Sequence, residues 1–142
     1  MTIKTVLVED SQTIRDALIP TMAEIGDMEV VGVAEGAEEA VALLDFLRPS
    51  WELAVVDLFL KQGSGLDVLR AWGHRHSGRL LVVLSNSATK DMREQCARLG
   101  ADAVFDKSTQ LDAFFAFCTK RLRRSGLVAS PRNPVSKSFA DG

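Results

Sequence analysis

Five apolar runs of β type alternate with five segments of helical period along this chain, and that alternation limits the fold more than any other feature. The runs are Thr5–Val8, Val30–Ala34, Leu53–Asp57, Leu80–Leu84 and Ala103–Phe105. Between and after them, apolar residues recur near every 3.6 positions. Ile14, Ala17, Leu18, Met22 and Ile25 share one face of a first helix; Ala40, Val41, Leu44 and Leu47 share one face of a second. A third carries Leu66, Leu69 and Trp72, a fourth Met92, Cys96 and Leu99, and a fifth Leu111, Phe114, Phe115, Cys118 and Leu122. Asp10 and Ser11 can cap the first helix, and Ser108 or Thr109 the last. Gly100 sits where a helix C-terminus belongs, and Pro20 should kink the first helix.

Strict alternation of this kind requires a parallel sheet covered on both faces, because each crossover helix must pack back onto it. Five units predict an α/β fold of flavodoxin-like type, a (βα)5 doubly wound five-stranded parallel sheet in the order 2-1-3-4-5. At 142 residues the chain reads as one domain over 1–124. Residues 125–142 lose all periodicity and read as a flexible tail or the start of a linker. With 46% hydrophobic and 25% charged residues, the composition is that of a soluble globular protein. No apolar run approaches the roughly 18 residues of a membrane span. The opening MTIKTVLVED enters a strand pattern directly, without a signal-peptide pattern, so a cytoplasmic location is expected. Cys96 and Cys118 lack metal-ligand or redox spacing and are expected to be reduced, packed thiols.

The net charge of −2 is unevenly spread: six bases against one acid from Lys120 onward, and eleven bases against eighteen acids before it. An acidic body with a short basic tail excludes a nucleic-acid footprint for this segment. Lys120, Arg121, Arg123 and Arg124 instead favour the dipole at a helix C-terminus. Ligands of a doubly wound sheet bind beyond the carboxyl ends of its strands. Those ends deliver Glu9 and Asp10, then Asp57, then Ser85, then Lys107. Three carboxylates within about 5 Å repel by roughly 3 kcal/mol per pair at an effective dielectric of 20. One lysine cannot offset that. A hard divalent cation can, and Mg²⁺ suits a partly hydrated carboxylate site that also takes a phosphate oxygen. Such a site would let an Asp57 oxygen attack phosphorus, with Lys107 and Ser85 holding the phosphoryl group.

Over about residues 3–124 the chain resembles the receiver domains of two-component response regulators. The matching residues are Glu9 and Asp10 in VLVEDS, Asp57 with Gly65 eight positions on, Ser85 in VVLSNSA, and Lys107 in GADAVFDKS. The resemblance implies a phosphorylation-dependent signalling switch, in which Asp57 becomes an aspartyl phosphate at the expense of a histidine kinase or phosphotransfer protein. It implies Mg²⁺ bound directly by Asp10 and Asp57, through water by Glu9, and by the Phe59 backbone carbonyl. Ser85 and Lys107 would bind and report the phosphoryl group. Output would pass to a partner protein, or to a second copy of the chain, across the fourth helix, fifth strand and fifth helix. A self-phosphorylating receiver of this kind is not a multiple-turnover enzyme on an external substrate.

Four positions depart from the family pattern. Lys61 stands where proline is frequent, Asn86 follows the switch hydroxyl in place of a small residue, and Ser108 follows Lys107 in place of proline. A cis peptide after Lys107 is therefore not expected. The usual switch aromatic aligns with Val104, and Phe105 should face the other side of the sheet. Signalling is accordingly expected to run through the loop Asn86 to Lys90. Other readings fit the residues less well. A flavin carrier would need an uncharged phosphate loop where EDSQT stands, and a dehalogenase-type phosphohydrolase would need an acid at Phe59. A pseudo-receiver that binds partners without phosphorylation is the alternative. Lys107 could pair with Asp106 on the surface, His74 and His76 read as solvated loop histidines, and Phe114, Phe115 and Phe117 read as core and partner-facing bulk.

Overall fold

The computed structural model describes residues 2–74, 78–86 and 88–126. Strands β1 (Ile3–Val8), β2 (Met28–Ala34), β3 (Leu53–Val56), β4 (Leu80–Ser85) and β5 (Ala103–Asp106) alternate with five helices. These are α1 (Gln12–Gly26), α2 (Ala37–Leu47), α3 (Gly65–Trp72), α4 (Lys90–Arg98) and α5 (Leu111–Gly126). All neighbouring strands pair in parallel, in the order β2-β1-β3-β4-β5, which is the flavodoxin-like topology predicted from the alternation.

Strand alternation divides the core in two. Val6, Val8, Ala54, Val56, Leu81 and Val83 face one way and pack with α2, α3 and α4 through Leu44, Leu69 and Cys96. Leu7, Leu53, Val55, Leu80, Val82 and Leu84 face the other way, toward Leu18 and Met22 of α1 and Phe114, Phe115 and Cys118 of α5. Val104 packs with the first cluster and Phe105 with the second, as alternation predicts. The buried stripe of α1 differs from the expected one. It runs Leu18, Met22, Gly26, while Ala17 is exposed and Ile25 is 58% exposed. Gly26 explains the rotation: a Cβ there would lie 2.9 Å from Phe115 Cδ1, so the bare backbone is what admits the aromatic ring of α5.

The ends of the helices follow local chemistry. Ser11 Oγ caps α1 by accepting from the Ile14 N–H at 3.3 Å, while Asp10 is engaged elsewhere. Pro20 lies within α1. The expected cap of α5 at Ser108 or Thr109 does not form. The helix begins at Leu111, with the Phe114 N–H donating to the Gln110 carbonyl at 2.9 Å. Ser108 is drawn into a turn on Asp106, donating its N–H at 2.8 Å and its hydroxyl at 2.6 Å to that carboxylate. Gly100 adopts φ +102° just past α4. A Cβ on Gly73 would lie 1.7 Å from the Leu99 carbonyl oxygen, so the C-terminal ends of α3 and α4 meet backbone to backbone. The Lys107–Ser108 peptide is trans.

Beneath β3, buried Trp51 donates its indole N–H to the Leu44 carbonyl at 2.9 Å. Trp72 meets it edge-on with ring centroids 5.7 Å apart, and the Arg79 guanidinium lies 5.2 Å from its ring centroid. His74 is exposed; His76 and residues 127–142, most of the expected tail, lie outside the described residues. Among the described residues no helix is long and apolar enough to cross a membrane.

Cys96 and Cys118 are free and buried on opposite faces of the sheet. Burial pushes both thiols up, and Cys118, also near the Asp102 carboxylate, rises to about 12. At pH 8 a thiol with that value is ionised in about one molecule in ten thousand, and the thiolate is the reactive form. Native protein should therefore leave both cysteines unmodified by a thiol-reactive chromophore over minutes, with both reacting in denaturant. Rapid stoichiometric labelling of the native protein would contradict the packing described.

Candidate functional site

The parallel register sets Val8 of β1 opposite Val56 of β3, and Val56 opposite Val83 of β4. Ser85, the last residue of β4, faces Asp106 of β5. The polar residues therefore emerge together at one rim of the sheet. Asp57 stands one position beyond β3 and not within it, yet its N–H still donates to the Val8 carbonyl at 3.0 Å. The Lys107 N–H likewise donates to the Ser85 carbonyl at 3.0 Å, and the Glu9 N–H to the Ala34 carbonyl at 3.0 Å. Ladder hydrogen bonds thus fix the backbone of each of these three residues.

Gly65 closes the site from behind. A Cβ at that position would lie 2.4 Å from the Asp57 carbonyl oxygen and 2.8 Å from Leu58 Cα. Only a residue without a side chain lets α3 begin so close to the Asp57 backbone. Ser64 and Asp67 complete a capping box there, with Ser64 Oγ accepting from the Leu66 N–H at 3.1 Å and Asp67 accepting from the Ser64 N–H at 3.2 Å.

Glu9 is 2% and Asp57 7% exposed, a strong burial for two carboxylates. The Lys107 ammonium meets both, at 2.6 Å from Glu9 Oε1 and 3.3 Å from Asp57 Oδ2. Lys107 thus binds these two acids and not Asp106. The second Glu9 oxygen accepts from the Ser11 N–H at 3.1 Å, so both of its oxygens are engaged. Asp57 Oδ1 accepts from the Phe59 N–H at 3.3 Å. Burial raises the Asp57 carboxyl above its ordinary range; the Lys107 charge works against that rise, and the Glu9 charge adds to it. Glu9, Asp10 and Asp57 each offer a carboxylate oxygen within 4.8 Å of the others, an all-oxygen donor set suited to a hard cation. Ser85 is fully buried, and its hydroxyl has no hydrogen-bond partner among the described residues. A buried donor left unpaired costs about 1–3 kcal/mol, so this hydroxyl is poised for an acceptor that arrives from outside.

The structure thus brings together all the residues read from the strand ends. It also adds Arg15, which sequence spacing did not single out, and gives a role to Lys61. Arg15, one turn into α1, donates to the Glu9 carbonyl at 2.8 Å and pairs with Glu35 at 2.9 Å, fastening the end of β1 to the end of β2. The Lys61 backbone N–H donates to Asp10 Oδ2 at 2.7 Å, so position 61 serves the site through a main-chain donor that a proline there would lack. An arginine in the first turn of the first helix is the visible signal for Arg15, and the absence of proline at 61 is the signal for the backbone donor.

Comparison with known proteins gives a consistent answer. The family model described as response regulator receiver domain matches residues 5–118. The transcriptional regulatory protein CitB of Klebsiella pneumoniae is 30% identical over 105 residues, covering 73% of this chain and 42% of that protein. The DNA-binding transcriptional activator DevR/DosR of Mycobacterium tuberculosis is 32% identical over 105 residues, covering 74% of this chain and 48% of its own. The chain therefore spans less than half the length of either relative. In fold it is similar to the response regulator domain of Thermotoga maritima CheB, with a TM-score of 0.71, 20% identity and coverage of 91% and 99% of the two chains. The BeF3-activated receiver domain of Klebsiella pneumoniae RstA superposes with a TM-score of 0.73 at 22% identity, covering 84% and 98%.

A raised carboxyl value means that Asp57 favours the folded state when protonated and opposes it when ionised. Its contribution is fully present below the ordinary value of 3.8 and is lost as pH rises through the folded value. Asp57→Asn removes that opposition. In metal-free buffer at pH 7 the variant should melt about 2–5 °C above wild type, and the difference should vanish on acidification toward pH 3.5. Calorimetry across that pH range checks it; an equal or lower melting temperature at pH 7 would contradict the electrostatics described.

Proposed function

The chain belongs to the response regulator receiver family, and from that premise we propose that it is a signalling switch thrown by phosphorylation of Asp57. The observation that carries the reading is the buried pairing of Asp57 with Lys107 at the same rim as Ser85, whose hydroxyl has no hydrogen-bond partner among the described residues. An Asp57 carboxylate oxygen attacks the phosphorus of a phosphohistidine on a sensor kinase or phosphotransfer protein. The new O–P bond forms as the N–P bond breaks, and the histidine departs with the electron pair of that bond. Lys107 turns its ammonium from the carboxylate toward the added phosphoryl oxygens, and the Ser85 hydroxyl donates to one of them.

The donor set fits Mg²⁺. Asp10, Asp57 and the Phe59 carbonyl would hold the ion directly and Glu9 through water, since both Glu9 oxygens are already engaged by Lys107 and Ser11. When bound, Mg²⁺ supplies positive charge that offsets the crowded carboxylates and the incoming phosphoryl oxygens. Lys61, through its N–H on Asp10, and Arg15, through the Glu9 carbonyl, hold these acids in position. Output then passes through the face formed by α4, β5 and α5 to a partner protein or a second copy of the chain.

Two measurements test this. Incubation with acetyl phosphate and Mg²⁺ should add one phosphoryl mass to wild type and none to Asp57→Asn. Equal labelling of both would place the acceptor elsewhere, and no labelling of wild type would favour a module that binds partners without phosphorylation. In calorimetric titration, Asp10→Asn should weaken Mg²⁺ binding by more than about 10-fold and Glu9→Gln by less. Unchanged affinity in both variants would remove the ion from this site.

A further inference from the structure

Val104 gives β5 no ring on the α4 side of the sheet, yet that side is not without a connecting group. Arg93, in the first turn of α4, extends its guanidinium across the space between α4, β5 and α5. Its Nε donates to the Ala88 carbonyl at 3.2 Å, in the loop that follows Ser85. One terminal nitrogen donates to the Val104 carbonyl at 2.8 Å, and the other to Gln110 Oε1 at 3.0 Å, immediately before α5. The same Gln110 oxygen accepts the Asp106 N–H at 2.9 Å, and Asp106 is the residue opposite Ser85 in the ladder. One planar cation therefore closes a ring that runs from Ser85 along the loop to Ala88, through Arg93 to Gln110, and back through Asp106.

From this ring we infer that Arg93 is the coupling residue of the switch, joining the loop after Ser85 to β5 and the start of α5. The inference rests on the phosphorylation reading above. When the Ser85 hydroxyl turns to a phosphoryl oxygen, the residues after it are drawn toward Asp57, and the Ala88 carbonyl moves relative to a guanidinium anchored at its other two bonds. A fork of fixed geometry cannot keep all three acceptors as one of them shifts. Either the Ala88 bond breaks or Arg93 carries the shift to Val104 and Gln110. Both outcomes alter the α4–β5–α5 face through a hydrogen-bonded cation, where an aromatic ring would otherwise do so.

Backbone NMR of the full chain, with Mg²⁺ and with or without beryllofluoride as phosphoryl mimic, tests the inference. In wild type, shifts should change both in the loop around Asn86 and Ala88 and at Val104, Asp106, Gln110 and Leu111. Arg93→Met keeps the apolar stem and removes the donors; it should still bind beryllofluoride and shift the loop, but lose the response at Val104, Asp106 and Gln110. Gln110→Leu, which removes the acceptor and leaves Arg93 in place, should lose the response at Gln110 and Leu111 and keep that of the loop. If both variants bind the mimic and respond on β5 and α5 as wild type does, the coupling is overturned while the phosphoryl site stands. If wild type itself does not bind the mimic, the phosphorylation reading fails and the coupling fails with it.

Discussion

The structure depends on one buried ammonium. Lys107 lies between Glu9 and Asp57, two carboxylates that the sheet has removed almost wholly from water. Removing that ammonium would strand both carboxylates, and a stranded buried charge typically costs about 3–5 kcal/mol. Here a single cation serves two anions contributed by different strands, so β1, β3 and β5 must end in register for any of the three charges to be met. Asp10 adds a further negative charge at the same rim, tied to the Lys61 N–H. Such a site is satisfied but not neutral. The excess negative charge is what makes it receptive to a cation, and the Ser85 hydroxyl, without a partner among the described residues, makes it receptive to an acceptor.

The parts of this arrangement legible in the sequence are those that depend on period and on strand ends. Alternation of β and α segments specifies the topology, and the rule that ligands sit beyond strand termini collects Glu9, Asp10, Asp57, Ser85 and Lys107 from the sequence alone. What stayed hidden was set by contacts distant in sequence. The face of α1 turned away from Ile25 because Gly26 receives Phe115 from the far end of the chain. Between Thr5 and Val6 the ladder to β2 skips a residue, pairing Val30 and then Gly32, and apolar pattern alone gives no sign of that irregularity. Ser108 does not cap α5 because Asp106 competes for its hydroxyl. The acceptors of Arg93 and Arg15 are carbonyls on other elements, which sequence spacing does not reveal.

The two faces of the sheet carry different chemistry. On the α1 and α5 side, Phe105 joins Phe114 and Phe117 in a run of ring contacts with centroids 5.6–6.1 Å apart. These ring contacts hold their favoured tilted geometry over a broad range of small displacements. On the α4 side, the corresponding position of β5 holds Val104, and the linkage is made by hydrogen bonds from one guanidinium. Hydrogen bonds weaken steeply as their angle departs from linear. A displacement near Ser85 therefore has a defined geometric consequence on one face and only a diffuse one on the other.

The paired indoles offer the chain an optical readout with a built-in blind spot. Trp51 and Trp72 are the two tryptophans of the sequence, held edge to face near the start of β3, whereas the carboxylates gather beyond its far end. Indole emission responds to the polarity of its immediate surroundings, and Trp51 is sealed by Leu44, Trp72 and Arg79. Fluorescence of this chain accordingly reports whether α2 and α3 remain seated on the sheet. An emission trace that stays flat while ions are titrated would describe the far end of the molecule, so occupancy of the acidic rim calls for a probe placed there.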